Sequence, residues 1–394
     1  MAGSLAIILL LGIPANRFFE KIRIPGLLGM LILGIIIGPY GLNWIRPEMI
    51  NVSSDLRKIA LIIILLRAGF GINKNDLKKV GTTAIKMSFI PGLIEGLFIA
   101  FASIKVLKFS FIEGGILGFV LAAVSPAVVV PSMLNLNKNN IGTNKGIPTL
   151  IMAGASIDDV FAITIFSAFL GLYSGTHINI GMQLLGIPVS ILLGIAGGIT
   201  IGYILIRIFN KYHIRDTKKV LLVLGLSILF TELENLLKSK IEIASLLGVM
   251  TIGFIIFEKI PKVGKRLAMK FDKIWVFAEI FLFVLVGAQV NILVAFNSGI
   301  KGVILILIGL IGRSIGVMIS LLGTDLNWKE RLFCIISYIP KATVQAAIGG
   351  VPLSLGVESG DVILAIAVLS ILITAPLGAI GIRSFSKRFL TVGN

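Results

Sequence analysis

Ser125-Pro126-Ala127-Val128-Val129-Val130-Pro131 places two prolines inside an apolar run that extends from residue 110 to 135. Proline lacks a backbone donor and clashes with the preceding turn, so a helix through this run should unwind locally. The pattern returns once: Pro340-Lys341-Ala342-Thr343, followed by Pro352, interrupts the apolar run 329–353. In hydrocarbon, irregular backbone persists only where it is buried in protein or lines a watery cavity. Two interrupted spans in corresponding places of two halves therefore point to a binding site near the middle of a bilayer.

The rest of the chain supports a bilayer as solvent. Of 394 residues 56% are hydrophobic and only 14% charged, and the mean hydropathy is +1.02. A soluble domain carries about a quarter charged residues, so a globule of this composition would expose far too much apolar surface. The net charge of +17 invites a nucleic-acid reading, but the basic residues sit between apolar runs rather than in patches on a polar scaffold, and no nucleic-acid partner is expected. A lone Cys334 excludes an intramolecular disulfide, and with only His177 and His213 besides a Cys/His metal cluster is excluded too.

Thirteen apolar runs are long enough to span: 1–17, 24–41, 55–73, 79–104, 110–135, 147–173, 183–209, 218–237, 242–258, 272–292, 299–323, 329–353 and 361–384. The first has no basic leader segment or cleavage site and is expected to be a retained helix; no soluble domain is expected before or after the bundle. With the N-terminus outside, 24 Lys and Arg fall in loops on the cytoplasmic side and 8 on the other. This bias follows the positive-inside rule and puts the C-terminus in the cytoplasm. The remaining four, Arg67, Lys86, Arg313 and Lys341, fall within spans. The first two lie near span ends, where snorkelling is the simpler expectation.

Charges at mid-bilayer cost about 2.5–3.5 kcal/mol each on insertion scales and by default mark ion paths. Asp158 and Asp159 lie in the middle of 147–173, Glu95 near the middle of 79–104, and Arg313 and Lys341 near mid-span. Adjacent helical positions point about 100° apart, so one aspartate can face a cavity while the other reaches a neighbouring helix. An Asp158/Asp159 pair serving only to fix packing is disfavoured by its cost. Glu95 and Arg313 fit an interhelical ion pair and a direct transport role equally well.

The fourth span carries Gly92-Leu93-Ile94-Glu95-Gly96 and the eleventh Gly312-Arg313-Ser314-Ile315-Gly316. Both are close-approach glycine steps holding an ionisable residue, and each lies one span before a broken one. Spans 4–6 and 11–13 thus form two copies of one unit starting from opposite sides, an inverted repeat. The tract Gly194, Gly198, Gly202 is expected to serve plain close packing. The expected fold is an all-α membrane protein of about 13 transmembrane helices with inverted repeats and two broken, crossing helices.

Three segments in order, Ala122-Ala123-Val124-Ser125-Pro126 through Pro131, Lys145-Gly146-Ile147-Pro148-Thr149-Leu150 running into Ser156-Ile157-Asp158-Asp159, and Ile339-Pro340-Lys341-Ala342-Thr343-Val344-Gln345-Ala346, resemble cation/proton antiporters of the second monovalent-cation antiporter group. The likeness is strongest to NHA-type sodium/hydrogen antiporters and covers essentially the whole chain. It implies a multi-pass cell-membrane (cytoplasmic or inner membrane) transporter rather than an enzyme, with no cofactor and with lipid and a second copy of itself as partners. It further implies a dimerisation domain of 1–73 with 218–292, a linker helix at 183–209, and a mobile core of 79–173 with 299–384 that moves as an elevator. Asp159 matches the family's ion-binding aspartate and Asp158 its partner. Several relatives with the aspartate pair carry lysine where this chain has Arg313; arginine effectively cannot give up its proton, so Arg313 is a poor proton carrier that Glu95 can hold as a standing ion pair.

The mechanism expected is competition of Na⁺ or Li⁺ with H⁺ for Asp159. Desolvation raises a carboxylate's pKa and a nearby cation lowers it, so a carboxylate in a narrow watery cavity can exchange protons near neutral pH. Hard oxygens suit a hard cation, and Ser125, Thr149, Ser156 and Asp158 are the candidate ligands beside Asp159, with Na⁺ held at Asp158 and Asp159. Lys341 is expected to compensate the partial charges of broken helix ends. A K⁺/H⁺ antiporter shares the chemistry and is the nearest alternative; a sodium-coupled organic-anion symporter is a more distant one. An intramembrane aspartyl protease needs its aspartates on facing helices, which adjacent Asp158 and Asp159 do not provide.

Overall fold

Ser110 and Asn327 start the two interrupted segments in the same way. The Ser110 hydroxyl accepts the Glu113 N–H at 3.2 Å while the Glu113 carboxylate accepts the Ser110 N–H at 2.9 Å. The Asn327 side chain accepts from Glu330 N–H at 3.0 Å, and Glu330 accepts from Asn327 N–H at 2.7 Å. These capping boxes satisfy the orphan donors of a helix start. The helices they launch run 11 and 10 residues before the chain unwinds.

In the computed structural model, residues 1–21, 26–72, 74–173, 180–237, 243–290 and 299–392 are described. Their helices are α1 (Ala2–Lys21), α2 (Gly26–Ile37), a short α3 (Pro47–Asn51), α4 (Ser53–Gly71), α5 (Lys74–Val106), α6 (Phe111–Leu121), α7 (Pro126–Lys138), α8 (Ile147–Tyr173) and α9 (Ile180–Lys211). They continue as α10 (Asp216–Leu237), α11 (Ser245–Lys259), α12 (Pro261–Ala288), α13 (Gly299–Ser320), α14 (Trp328–Ser337), α15 (Thr343–Ile348), α16 (Val351–Ser354) and α17 (Gly360–Phe389). Each expected span coincides with one helix, or with a broken set: α6 and α7 for 110–135, and α14, α15 and α16 for 329–353. Among the described residues, seven stretches are long and apolar enough to cross a membrane by length and composition: Ala2–Lys21, Val80–Val106, Phe111–Lys138, Ile147–Tyr173, Pro188–Lys211, Gly299–Ser320 and Gly360–Phe389. The expected span ends at 24–25, 242 and 291–292, together with Arg23, His177, Lys238 and Lys240, lie outside the described residues.

The breaks fall beside the prolines expected to cause them. Residues 122–125 leave the helix, and Pro126 becomes the first residue of α7, where a missing N–H costs nothing. Ser125 before it is extended, with φ −82° and ψ 109°. Pro131 was expected to unwind the span too, but it rides inside α7. Pro340 sits within the second unwound stretch, whereas Pro352 opens α16 instead of breaking α15.

Helices α1, α2, α4, α10, α11 and α12 pack on one another, as do α5–α8 with α13–α17, while α9 lies along α11. Glycines set the closest approaches. A Cβ on Gly316 would meet Pro91 Cα at 2.5 Å, joining α13 to α5; Cβ atoms on Gly194 and Gly198 would each meet a carbonyl at the start of α11 at 2.3 Å. The α9 tract is therefore a packing stripe. Arg67, expected to snorkel, instead pairs with Asp272 at 2.8 Å and lies 5.3 Å over the Trp275 ring, because an acid and an aromatic on α12 face it. Lys138 reaches the same aspartate from α7 at 2.6 Å.

Candidate ion-binding site

The two unwound stretches meet. Ser125 N–H donates to the Pro340 carbonyl at 2.8 Å, so chain that has left one helix is satisfied by chain that has left the other. Each stretch is also tied to the third helix of its own repeat. Val124 N–H donates to Asp158 Oδ2 on α8 at 2.8 Å, and Lys341 N–H donates to Thr374 Oγ1 on α17 at 2.9 Å. The open carbonyl end of α6 is covered from across the crossing: the Gln345 amide donates to Ala123, Val120 and Leu121 carbonyls at 2.9, 3.2 and 3.4 Å.

Around the crossing lie four buried charges in contact. Glu95 Oε2 accepts from Arg313 Nε and, at 2.6 Å, from Lys341 Nζ; Arg313 Nη2 reaches Asp158 Oδ2 at 3.4 Å. The Arg313 guanidinium also sits 5.6 Å over the Tyr338 ring, a contact that substitutes for lost hydration. Two acids and two bases balance when all are ionised. Buried ions persist only when paired in this way, since the desolvation cost is otherwise several kcal/mol per ion.

Asp159 stands outside the balance. Among the described residues it forms no ion pair, and its Oδ1 is buried without a hydrogen-bond partner. It is 6% exposed and lines a cavity of about 100 Å³ together with Ser156. Asp158 instead packs toward α5, where a Cβ on Gly92 would sit 3.0 Å from its Oδ1. The two carboxylates therefore face different surroundings, as the 100° step between neighbours requires.

The other candidate residues separate. Ser125 Oγ is buried at the crossing without a partner, and Ser156 donates to Met152 carbonyl at 2.8 Å, leaving its lone pairs toward the Asp159 cavity. Thr149 does not belong with them. Unbroken α8 sets it ten residues from Asp159, about 15 Å along the axis at 1.5 Å per residue, too far for both to touch one cation at 2.3–2.6 Å. Lys341 spends its ammonium on Glu95 rather than on helix ends, which Gln345 serves instead. Gln345, Thr374 and Tyr338 were not among the expected site residues. A lone amide just past a mid-span proline is the signal that marks Gln345; Thr374 and Tyr338 carry none, being ordinary residues in apolar helices.

An all-helical bundle whose two broken helices cross beside one unbalanced carboxylate defines a membrane ion transporter. Comparison with known proteins narrows the class. The family model described as "Sodium/hydrogen exchanger, transmembrane" matches residues 5–388, and the chain belongs to that family. It is 35% identical to sodium/hydrogen exchanger 9B2 of Homo sapiens over 390 residues, covering 93% of this chain and 70% of that protein. It is 32% identical to sodium/hydrogen exchanger 9B1 of Homo sapiens over 410 residues, covering 98% and 78%. The fold matches the sodium proton antiporter MjNhaP1 from Methanocaldococcus jannaschii with a TM-score of 0.79 at 22% identity, over 100% of this chain and 99% of that one. The protein is thus a multi-pass membrane antiporter of the sodium/hydrogen exchanger family.

Proposed function

We propose that this exchanger moves Na⁺ or Li⁺ out of the cytoplasm against H⁺ by competition of the two cations for Asp159. The observation that carries this reading is the charge balance: Glu95, Arg313, Lys341 and Asp158 neutralise one another, and Asp159 is left over. A bare carboxylate cannot cross the barrier cheaply, but one loaded with a cation or a proton can. Exchange then follows without a separate coupling device, because the empty, charged site does not move. Ser125 and Ser156 supply further hard oxygens, and Asp158 holds the unwound chain that frames the site. Glu95, Arg313 and Lys341 act as a fixed charge-compensating set.

With a single exchanging carboxylate the stoichiometry is one for one, and the membrane potential, worth about 2.3 kcal/mol per charge per 100 mV, does not drive transport. We assign α5–α8 and α13–α17 to a core that moves as an elevator. Helices α1–α4 with α10–α12 form a dimerisation scaffold, and α9 the linker. The N-terminus faces outside and the C-terminus the cytoplasm, across the cell membrane.

The test is a proteoliposome assay with an internal pH dye, adding Na⁺, Li⁺ or K⁺ in turn, with the potential free and clamped. Na⁺ and Li⁺ evoke proton movement that is insensitive to clamping, and Asp159→Asn abolishes it. Full activity in that variant removes Asp159 from the centre of the mechanism. Exchange with K⁺ alone converts the protein to a K⁺/H⁺ antiporter.

A further inference from the structure

Along the cytoplasmic seam between the two helix groups, acids and bases divide by group. Where the groups touch through ion pairs, the core supplies the base and the scaffold the acid: Lys74 of α5 meets Glu258 of α11 at 3.2 Å, and Lys138 of α7 meets Asp272 of α12 at 2.6 Å. The division continues into a cavity of about 860 Å³, walled by α1, α2 and α12 on one side and by α7 and α17 on the other. It reaches inward to Ala127 and Val128, just past Ser125 of the crossing. Glu20 of α1 and Glu279 of α12 stand on the scaffold wall, and Arg383 and Lys387 of α17 on the core wall. Among the described residues none of these four forms an ion pair. The charges that act on Glu279 are Arg67, already paired with Asp272, and Glu20 on its own wall. Depths match across the gap. Arg383 precedes Lys387 by one turn of a helix that ends at the cytoplasm, while Glu279 lies within its span and Glu20 at the very end of α1. The deeper base therefore faces the deeper acid.

Alternating access requires the path to close behind an ion that leaves by the other face. We propose that charge closes this one: as the core carries its ion outward, Arg383 meets Glu279 and Lys387 meets Glu20, while Lys138–Asp272 and Lys74–Glu258 part. This rests on the elevator reading above and on the orientation that puts the C-terminus in the cytoplasm. These four acids and four bases then form two alternative sets of contacts, one for each position of the core. Because one set replaces the other, neither position gains enough to trap the carrier, and both stay populated. The structure holds the cytoplasm-open set. A purely architectural alternative is that the four charges only keep the cavity mouth hydrated. Their pairing would then be irrelevant, so exchanging an acid with its opposing base separates the two roles.

The experiment reads initial exchange rates in proteoliposomes together with the accessibility of the cavity. Ser132, on its α7 wall, is replaced by cysteine in every sample, and a membrane-impermeant maleimide is added at the cytoplasmic face; the native Cys334 is buried. Glu279→Arg and Arg383→Glu each set like charges on both walls, so closure fails: exchange falls about tenfold and labelling speeds up about threefold. The Glu279→Arg/Arg383→Glu double variant returns both to within about twofold of the parent. Glu20→Lys and Lys387→Glu behave alike, singly and together, with smaller amplitude. Those two side chains are exposed, so this second swap decides the matter even where Glu279→Arg disturbs folding. Single variants that exchange and label like the parent, or double variants no faster than their singles, overturn the proposal. Labelling requires no exchange, so a parent protein that moves no protons sinks the antiport reading while the closure is still decided.

Discussion

Glu95 is the residue on which the buried charge cluster depends. Its one oxygen accepts from both Arg313 and Lys341, so its removal leaves Lys341 without an acid and Arg313 with only Asp158 at 3.4 Å, whereas removing Lys341 leaves Glu95 still paired with Arg313. Breaking a buried pair by deleting one partner costs about 3–5 kcal/mol. Glu95→Ala should therefore lower the melting temperature of the purified protein more than Lys341→Ala. The Glu95→Ala/Arg313→Ala double mutant should lose clearly less than the sum of its singles, since partners in one network do not add. Additive losses would show that the contacts do not form a unit. Much of this cluster was legible residue by residue. Charges in apolar runs are conspicuous, and the symmetry of two glycine steps paired Glu95 with Arg313. The attachment of Lys341 to the same carboxylate was not legible, because it depends on how far the second unwound stretch carries that side chain across the bundle.

At the scale of the helix, the two repeats solve one problem with different residues. Each opens its broken helix with a capping box and each hangs an unwound N–H on a polar side chain of its third helix. In one repeat that side chain is Asp158 and in the other Thr374. The correspondence shows that an uncharged hydroxyl can do the framing task, and that Asp158's charge answers to Arg313. Outside the bundle, α10 and α12 are joined by Asp216, whose carboxylate accepts from Arg266 Nε at 2.7 Å. The hydrogen bond to Arg266 holds the Asp216 carboxyl below its ordinary range. A depressed pKa contributes stability above the unfolded value of about 3.9, and that contribution is lost as pH falls through the folded one. The pair lies at the surface, so solvent screening keeps the effect small. Thermal melts of wild type and Asp216→Asn should differ slightly at neutral pH and converge in acid; a gap that widens on acidification contradicts this sign.

For the whole molecule, the ion pairs that tie the two packed groups of helices are the informative contacts. Lys138 of α7 and Arg67 of α4 share Asp272 of α12, and Lys74 of α5 meets Glu258 of α11 at 3.2 Å. If the core travels as an elevator, the Lys138–Asp272 contact must break in every cycle. An exposed pair contributes about 0.2–1 kcal/mol, so Lys138→Met should raise the exchange rate, by up to about fivefold where this step limits turnover. The reading is initial rate at saturating Na⁺, with KM unchanged. A slower variant would mean that the contact belongs to the moving state instead.

The sequence by itself determined the solvent, the all-helical class and the places where the two helices break. Hydrophobic length and proline placement are local properties, and a charge in hydrocarbon has few uses. Only the tertiary structure decided which charges cancel and which does not. That requires knowing that the two broken stretches meet, that Gln345 rather than Lys341 covers the α6 carbonyls, and that α8 stays unbroken and carries Thr149 away from Asp159. These are distances between segments far apart in the chain or along one rigid helix, and electrostatic partnership falls within a few ångströms. Glu234 shows the limit most plainly. In the sequence it is an acid near the end of a helix, and packing alone sets it on the wall of the small cavity that Asp159 also lines.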